Sequence, residues 1–113
     1  MKTYYTLNRG GKGGVFWIER EGRKVKNAYG LDLYVEHRGK NNWVITEAKS
    51  GLMVGEGSLR RLAVEHFEEK IEFYGLKYLQ EKIEECIELY GESPLYTDEP
   101  KLLISHLEKE DAY

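Results

Sequence analysis

Residues 43–71, WVITEAKSGLMVGEGSLRRLAVEHFEEKI, carry two periodicities side by side, and their order decides the fold. Trp43 and Ile45 alternate with Val44 and Thr46, the two-residue period of a strand. Lys49-Ser50-Gly51 then reverses the chain into a second short run, Leu52-Met53-Val54. After Gly55-Glu56-Gly57 the period changes. Leu59, Leu62, Ala63, Phe67, Ile71 and Tyr74 recur at helical spacing, and Gly75 stands where a helix stops. Ser58 is the expected N-cap, because its hydroxyl can accept from a backbone amide two or three residues on. Arg61 occupies the place where a reciprocal capping box needs Glu or Gln.

Working upstream, Gly30 precedes Leu31-Asp32-Leu33-Tyr34-Val35-Glu36, in which Leu31, Leu33 and Val35 share one face of a half-buried strand. Arg38 to Asn42 is the turn after it. Lys2 to Arg9 and Val15 to Arg20 read as two further strands around the glycine loop 10–14. Glu21-Gly22 reads as a tight turn into a basic strand, Arg23 to Asn27. Connections this short favour antiparallel neighbours, since parallel strands need crossovers of a dozen or more residues.

Downstream, Leu76, Leu79, Ile83, Cys86, Ile87 and Tyr90 line a second helix that Gly91 ends. Glu85-Cys-Ile-Glu-Leu-Tyr-Gly91 repeats the ending Glu69-Lys-Ile-Glu-Phe-Tyr-Gly75, one helix-stopping solution used twice. Beyond Pro94, Pro100 sits where a first helical turn tolerates it, and Leu102, Leu103, His106 and Leu107 suggest a short third helix. The expected fold is α+β: an antiparallel meander of five or six strands, then two or three C-terminal helices packed on one face.

At 113 residues the chain suits a single domain with one core. Its charge is unevenly spread. Residues 1–50 hold 10 Lys and Arg against 5 Asp and Glu, whereas residues 51–113 hold 7 against 15. A basic, strand-rich part (1–56) is therefore followed by an acidic, helical part (58–110), a distribution that steers binding to charged partners. No apolar run approaches the roughly 20 residues of a membrane span, and the opening MKTYYTLNRGG has no apolar core of a secretory signal. The single cysteine, Cys86, has no partner within the chain and suits a reducing cytoplasm.

Few residues suggest chemistry. Arg9-Gly-Gly-Lys-Gly-Gly14 lacks the Lys-Ser/Thr ending of a phosphate loop and leads into a strand, so it reads as a hairpin connection. Arg60 and Arg61 oppose the dipole at the start of the first helix, which hints at a use for them. His37, His66 and His106 fall on three different elements without metal-ligand spacing, and Cys86 lies on an apolar stripe. No catalytic, cofactor or metal set is proposed. Two surfaces remain. Lys12, Arg23, Lys24, Lys26, Arg38, Lys40, Arg60 and Arg61, interleaved with Tyr4, Phe16, Trp17 and Tyr34, resemble the cationic and aromatic mixture that grips single-stranded nucleic acid. Glu65, Glu68 and Glu72 on the first helix, with Glu84 and Glu88 on the second, make an acidic face suited to a basic groove.

The unit Trp43 to Ile71 resembles the strand-turn-strand-helix unit of the HicB antitoxin family, with Gly55, Gly57, Ser58 and Ala63 at the link and in the helix that packs back on the sheet. That resemblance implies neutralisation of a toxin. In size, acidic face and lack of a catalytic set, the chain also looks like the inhibitors that phages and mobile elements direct against host defence, such as anti-CRISPR proteins. The expectation is a non-enzymatic, cytoplasmic binding protein. It would inhibit or adapt a larger protein or nucleoprotein by occupying its surface, with direct nucleic-acid binding as the alternative.

Overall fold

The computed structural model describes residues 1–10, 14–102 and 104–106. Strands β1 (Lys2–Arg9), β2 (Val15–Val25), β3 (Leu33–Gly39), β4 (Asn42–Glu47) and β5 (Leu52–Gly57) lie side by side in chain order, each antiparallel to the next. Helices α1 (Arg60–Tyr74) and α2 (Leu76–Tyr90) follow, completing the expected α+β meander with two C-terminal helices.

Three local expectations are corrected. The third helix is absent from the described residues: β6 (Ile104–His106) is a strand that pairs parallel to β2, with Trp17 opposite Ile104 and Glu19 opposite His106. The edge of β2 not taken by β1 has unpaired amides and carbonyls over this stretch, and a strand satisfies them where a helix would not. Leu103 and Leu107 lie outside the described residues. Glu21-Gly22 is no turn either; β2 runs through it unbroken, with Gly22 opposite Lys2. Glycine is needed there for another reason, since a Cβ would lie 2.7 Å from the Val35 carbonyl oxygen where β3 crosses. Finally, α1 starts at Arg60 after Leu59, without a side-chain cap, and Ser58 is exposed. Close packing at Gly57 governs the helix entry, because a Cβ on it would meet the Ala63 amide at 2.7 Å.

The main core lies between α1 and β3–β5. Val25, Leu33, Val35, Ile45 and Val54 from the strands meet Ala63 and Phe67 from the helix. Gly55 brings the layers together, as a Cβ there would meet Phe67 Cβ at 3.0 Å and the Ala63 oxygen at 2.9 Å. On the opposite face of β3 and β4, the β1–β2 hairpin folds across, and the Tyr4 ring stacks on that of Tyr34. The sheet curls far enough for the Leu7 amide to donate to the Gly51 carbonyl at 3.0 Å. Helix α2 covers the β4–β5 turn, burying Ile83 and Cys86 and setting the Cys86 Sγ 3.7 Å from the Ser50 carbonyl. That turn is organised by Glu47, whose carboxylate accepts from the Lys49 and Ser50 amides and from the Ser50 hydroxyl at 2.6 Å.

Candidate functional site

Strand β2 is paired to β1 along residues 15–22, but its other edge is divided between β6 (Trp17–Glu19) and β3 (Arg23–Val25). Between these two partners the sheet forks. Beside the β2–β3 pairing a cleft of about 650 Å³ opens, lined by Arg20, Arg23, Glu36, His37, Trp43 and Arg60 among others. A volume of this order is typical of small-molecule sites.

The floor of the cleft is ionic. Arg20 donates from Nε to Thr6 Oγ1 at 3.1 Å and from Nη1 to Glu36 Oε1 at 3.3 Å. Glu36 Oε1 also accepts from Arg38 Nε at 2.9 Å and from the Tyr4 hydroxyl at 3.1 Å. Arg38 reaches on to Thr46 Oγ1. Two guanidiniums thus share one carboxylate, with the Arg20, Arg38 and Glu36 side chains only 8%, 17% and 14% exposed. Burial, followed by the charge of Arg38, lowers the Arg20 pKa, while Glu36 acts in the other direction. Burial raises that of Tyr4, with the charge of Glu36 adding to it. At the rim, the His37 ring lies parallel to Trp43, 4.2 Å away with 2° between planes. Trp43 packs on the core beneath, while His37 is exposed. Glu19 and Glu21 line the cleft as well, and Glu19 accepts from the Tyr5 hydroxyl.

The fold brings Arg23 and Arg60 together in this cleft, and Arg38 supports it through Glu36. The other basic residues are dispersed. Lys24 pairs with Asp32 at 3.2 Å, Arg61 pairs with Glu65 at 3.8 Å, and Lys26 and Lys40 are exposed. Lys12 lies outside the described residues. Tyr4, Trp17 and Tyr34 are buried, so they build the interior and offer no stacking platform.

A second surface occupies the outside of the helices. Glu65, Glu68, Glu72, Glu84 and Glu88 are all exposed. Between Glu65 and Glu88 the helices carry eight glutamates against three lysines, Lys70, Lys77 and Lys82. Large rings are exposed on the same two helices. Phe73 is 80% exposed and meets Tyr74 edge-on at 4.7 Å, Tyr74 stacks on Tyr78 at 5.0 Å, and the Lys82 ammonium lies over Tyr78. Farther along α2, Leu89 is 70% exposed. The sharp elbow that aligns these rings is made by Gly75, at φ +90.

The sequence reading did not single out Phe73, Tyr78 or the His37–Trp43 pair. For Phe73 a signal existed: it falls off the apolar stripe that contains Phe67 and Ile71. Of the histidines, His66 accepts the Glu56 amide at Nδ1 and His37 stacks on Trp43, while β6 includes His106. Cys86 is buried, and burial together with the charge of Glu47 raises its thiol pKa. Among the described residues no group of three or more His, Cys, Asp or Glu converges to hold a metal ion, and no helix is long and apolar enough to cross a membrane. No protein-family model matches the chain, and no curated protein or solved structure matches it.

Proposed function

We propose that this chain is a non-enzymatic binding protein acting in the cytoplasm, where its one thiol stays reduced. It inhibits or adapts a larger protein or nucleoprotein partner by covering a basic surface with the outer faces of α1 and α2. In this it resembles the anti-defence inhibitors of phages and mobile elements, of which anti-CRISPR proteins are one kind. The observation that carries the reading is the ladder Phe73–Tyr74–Tyr78, exposed at the junction of two helices that also bear the exposed Glu65, Glu68, Glu72, Glu84 and Glu88. An exposed aromatic cluster has a hydration cost that a partner removes, and aromatic anchors dominate binding energy at protein interfaces. The carboxylates of these helices speed encounter with a cationic partner and exclude anionic ones.

Affinity capture from host lysate, with nuclease and then a salt gradient, tests this reading. The expected result is a stoichiometric protein that survives nuclease. It is lost both on reversing Glu68, Glu72 and Glu84 to Lys and on Phe73→Ala, with melting temperature nearly unchanged. Unaltered capture by both variants would reject the acidic face as the interface.

A further inference from the structure

We propose that the cleft beside the β2–β3 pairing is a binding site for a nucleoside phosphate, held by its phosphate on the arginines and by its base on the exposed face of His37. The buried ion group has an excess positive charge, with Arg20 and Arg38 against Glu36 alone. Unbalanced charge is costly where water is scarce, and an anion entering the cleft relieves it. Arg20 is placed to receive one. Its Nε and Nη1 are held by Thr6 and Glu36, which leaves Nη2 without a bond among the described residues, on a side chain that lines the cleft. A guanidinium fixed in this way is pre-organised for phosphate.

Arg23 from β2 and Arg60 from the start of α1 reach the same space from two other directions, and both are exposed. Neither takes part in an ion pair among the described residues, whereas neighbouring Lys24 and Arg61 do. A bare phosphate site would need no ring. Here His37 is backed by Trp43 in a parallel stack and presents its other face outward, an arrangement suited to a planar base. Glu21, which also lines the cleft, opposes highly charged ligands, which favours a single phosphate over a triphosphate. The ligand can be a free mononucleotide or the phosphorylated end of a strand, because the recognised chemistry is shared.

The whole chain is titrated calorimetrically at low salt with AMP, with a 5′-phosphorylated single-stranded oligonucleotide and with inorganic phosphate. AMP is expected to bind at least 10-fold more tightly than phosphate. The double variant Arg23→Glu, Arg60→Glu, on exposed positions, should weaken AMP by 10-fold or more. His37→Ala should weaken AMP by about 10-fold, within the range of one lost base–ring stack, while leaving phosphate unaffected. An oligonucleotide binding 10-fold more tightly than AMP identifies a strand end as the source; equal affinity identifies a free nucleotide. Absence of binding by AMP and oligonucleotide alike overturns the proposal, as does binding indifferent to both variants or phosphate binding as tight as AMP. The Glu68, Glu72 and Glu84 reversal should leave nucleotide affinity unchanged, so failure here and failure of the helical interface are read separately.

Discussion

The ring of Tyr4 lies flat against that of Tyr34, with 4.9 Å between centroids and 4° between planes, and this pair joins the β1–β2 hairpin to the back of the sheet. Tyr4 also donates to Glu36 Oε1, the atom on which Arg20 and Arg38 converge. One side chain therefore carries both packing and polar satisfaction. Tyr4→Phe should cost about 1 kcal/mol, the worth of one hydrogen bond. Tyr4→Ala should cost ~3–5 kcal/mol, as other large core truncations do. Urea melts of both variants at neutral pH check the difference.

Alkaline conditions should unfold the protein through groups that the fold keeps neutral. Cys86 and Tyr4 are raised above their ordinary values of 9.0 and 10.0, each mainly by burial. Tyr96 is raised as well, by burial and then by its hydrogen bond to Asp32. For an acid whose folded pKa is raised, the unfolded chain releases its proton first as pH rises, so the folded state is then the more protonated one. Stability from these groups is complete below their unfolded pKa values and declines above them. Denaturation midpoints measured from pH 7 to 11 should be flat at first, decline from about pH 9 as Cys86 titrates in the unfolded chain, and fall faster past pH 10. Cys86→Ala should flatten the first part alone. A decline that starts there unchanged in the variant would remove Cys86 from the account.

Asn27 holds the loop between β2 and β3. Its Nδ2 donates to the Val25 and Leu31 carbonyls, and its Oδ1 accepts from the Tyr29 and Leu31 amides. Asn27→Ala strands several backbone groups at once and should cost ~2–3 kcal/mol. Asn27→Asp retains the acceptor and should cost less. Thermal melts of the two variants establish the order.

Small residues set the distance between α1 and β5. Gly55→Ala would press a methyl against the Ala63 carbonyl oxygen and Phe67 Cβ. A destabilisation of ~1–3 kcal/mol is expected, as for other overpacked sites. Gly39→Ala, where a Cβ meets nothing within 4 Å, is the control and should be near neutral. Equal effects at the two positions would show that helix packing is not what Gly55 serves.

How much of this was legible depends on the range over which each signal acts. The alternation of Leu33 and Val35 and the helical spacing of Ala63, Phe67, Ile83 and Cys86 are local, and these residues are buried as their patterns predict. Gly55 and Gly57 read as a link into the helix that carries Ala63, and both approach Ala63 closely. Ser58 misled because capping preference is worth only about 1 kcal/mol and gives way to tight packing at Gly57. Gly22 resembled a turn residue, since a glycine required by a crossing strand and one required by a reversal look alike in sequence. Tyr34 seemed to point to solvent, yet it is covered by a hairpin beginning thirty residues earlier. The cleft was illegible for the same reason. It is assembled from β2, β3, β4 and the start of α1, and Arg20, His37 and Arg60 carry no motif that brings them together.

Sharing β2 in this way has a consequence for how the molecule comes apart. The strand pairs with segments from the beginning, the middle and the far end of the described chain, so no cut leaves one piece with all its partners. A fragment ending after β5 would lose the helix that covers its main core, and one starting at α1 would have no sheet to rest on. Unfolding should therefore be all-or-none, with tryptophan fluorescence and far-UV circular dichroism tracing coincident transitions. The slowest-exchanging amides should lie in β2, because they are released only when every layer lets go together.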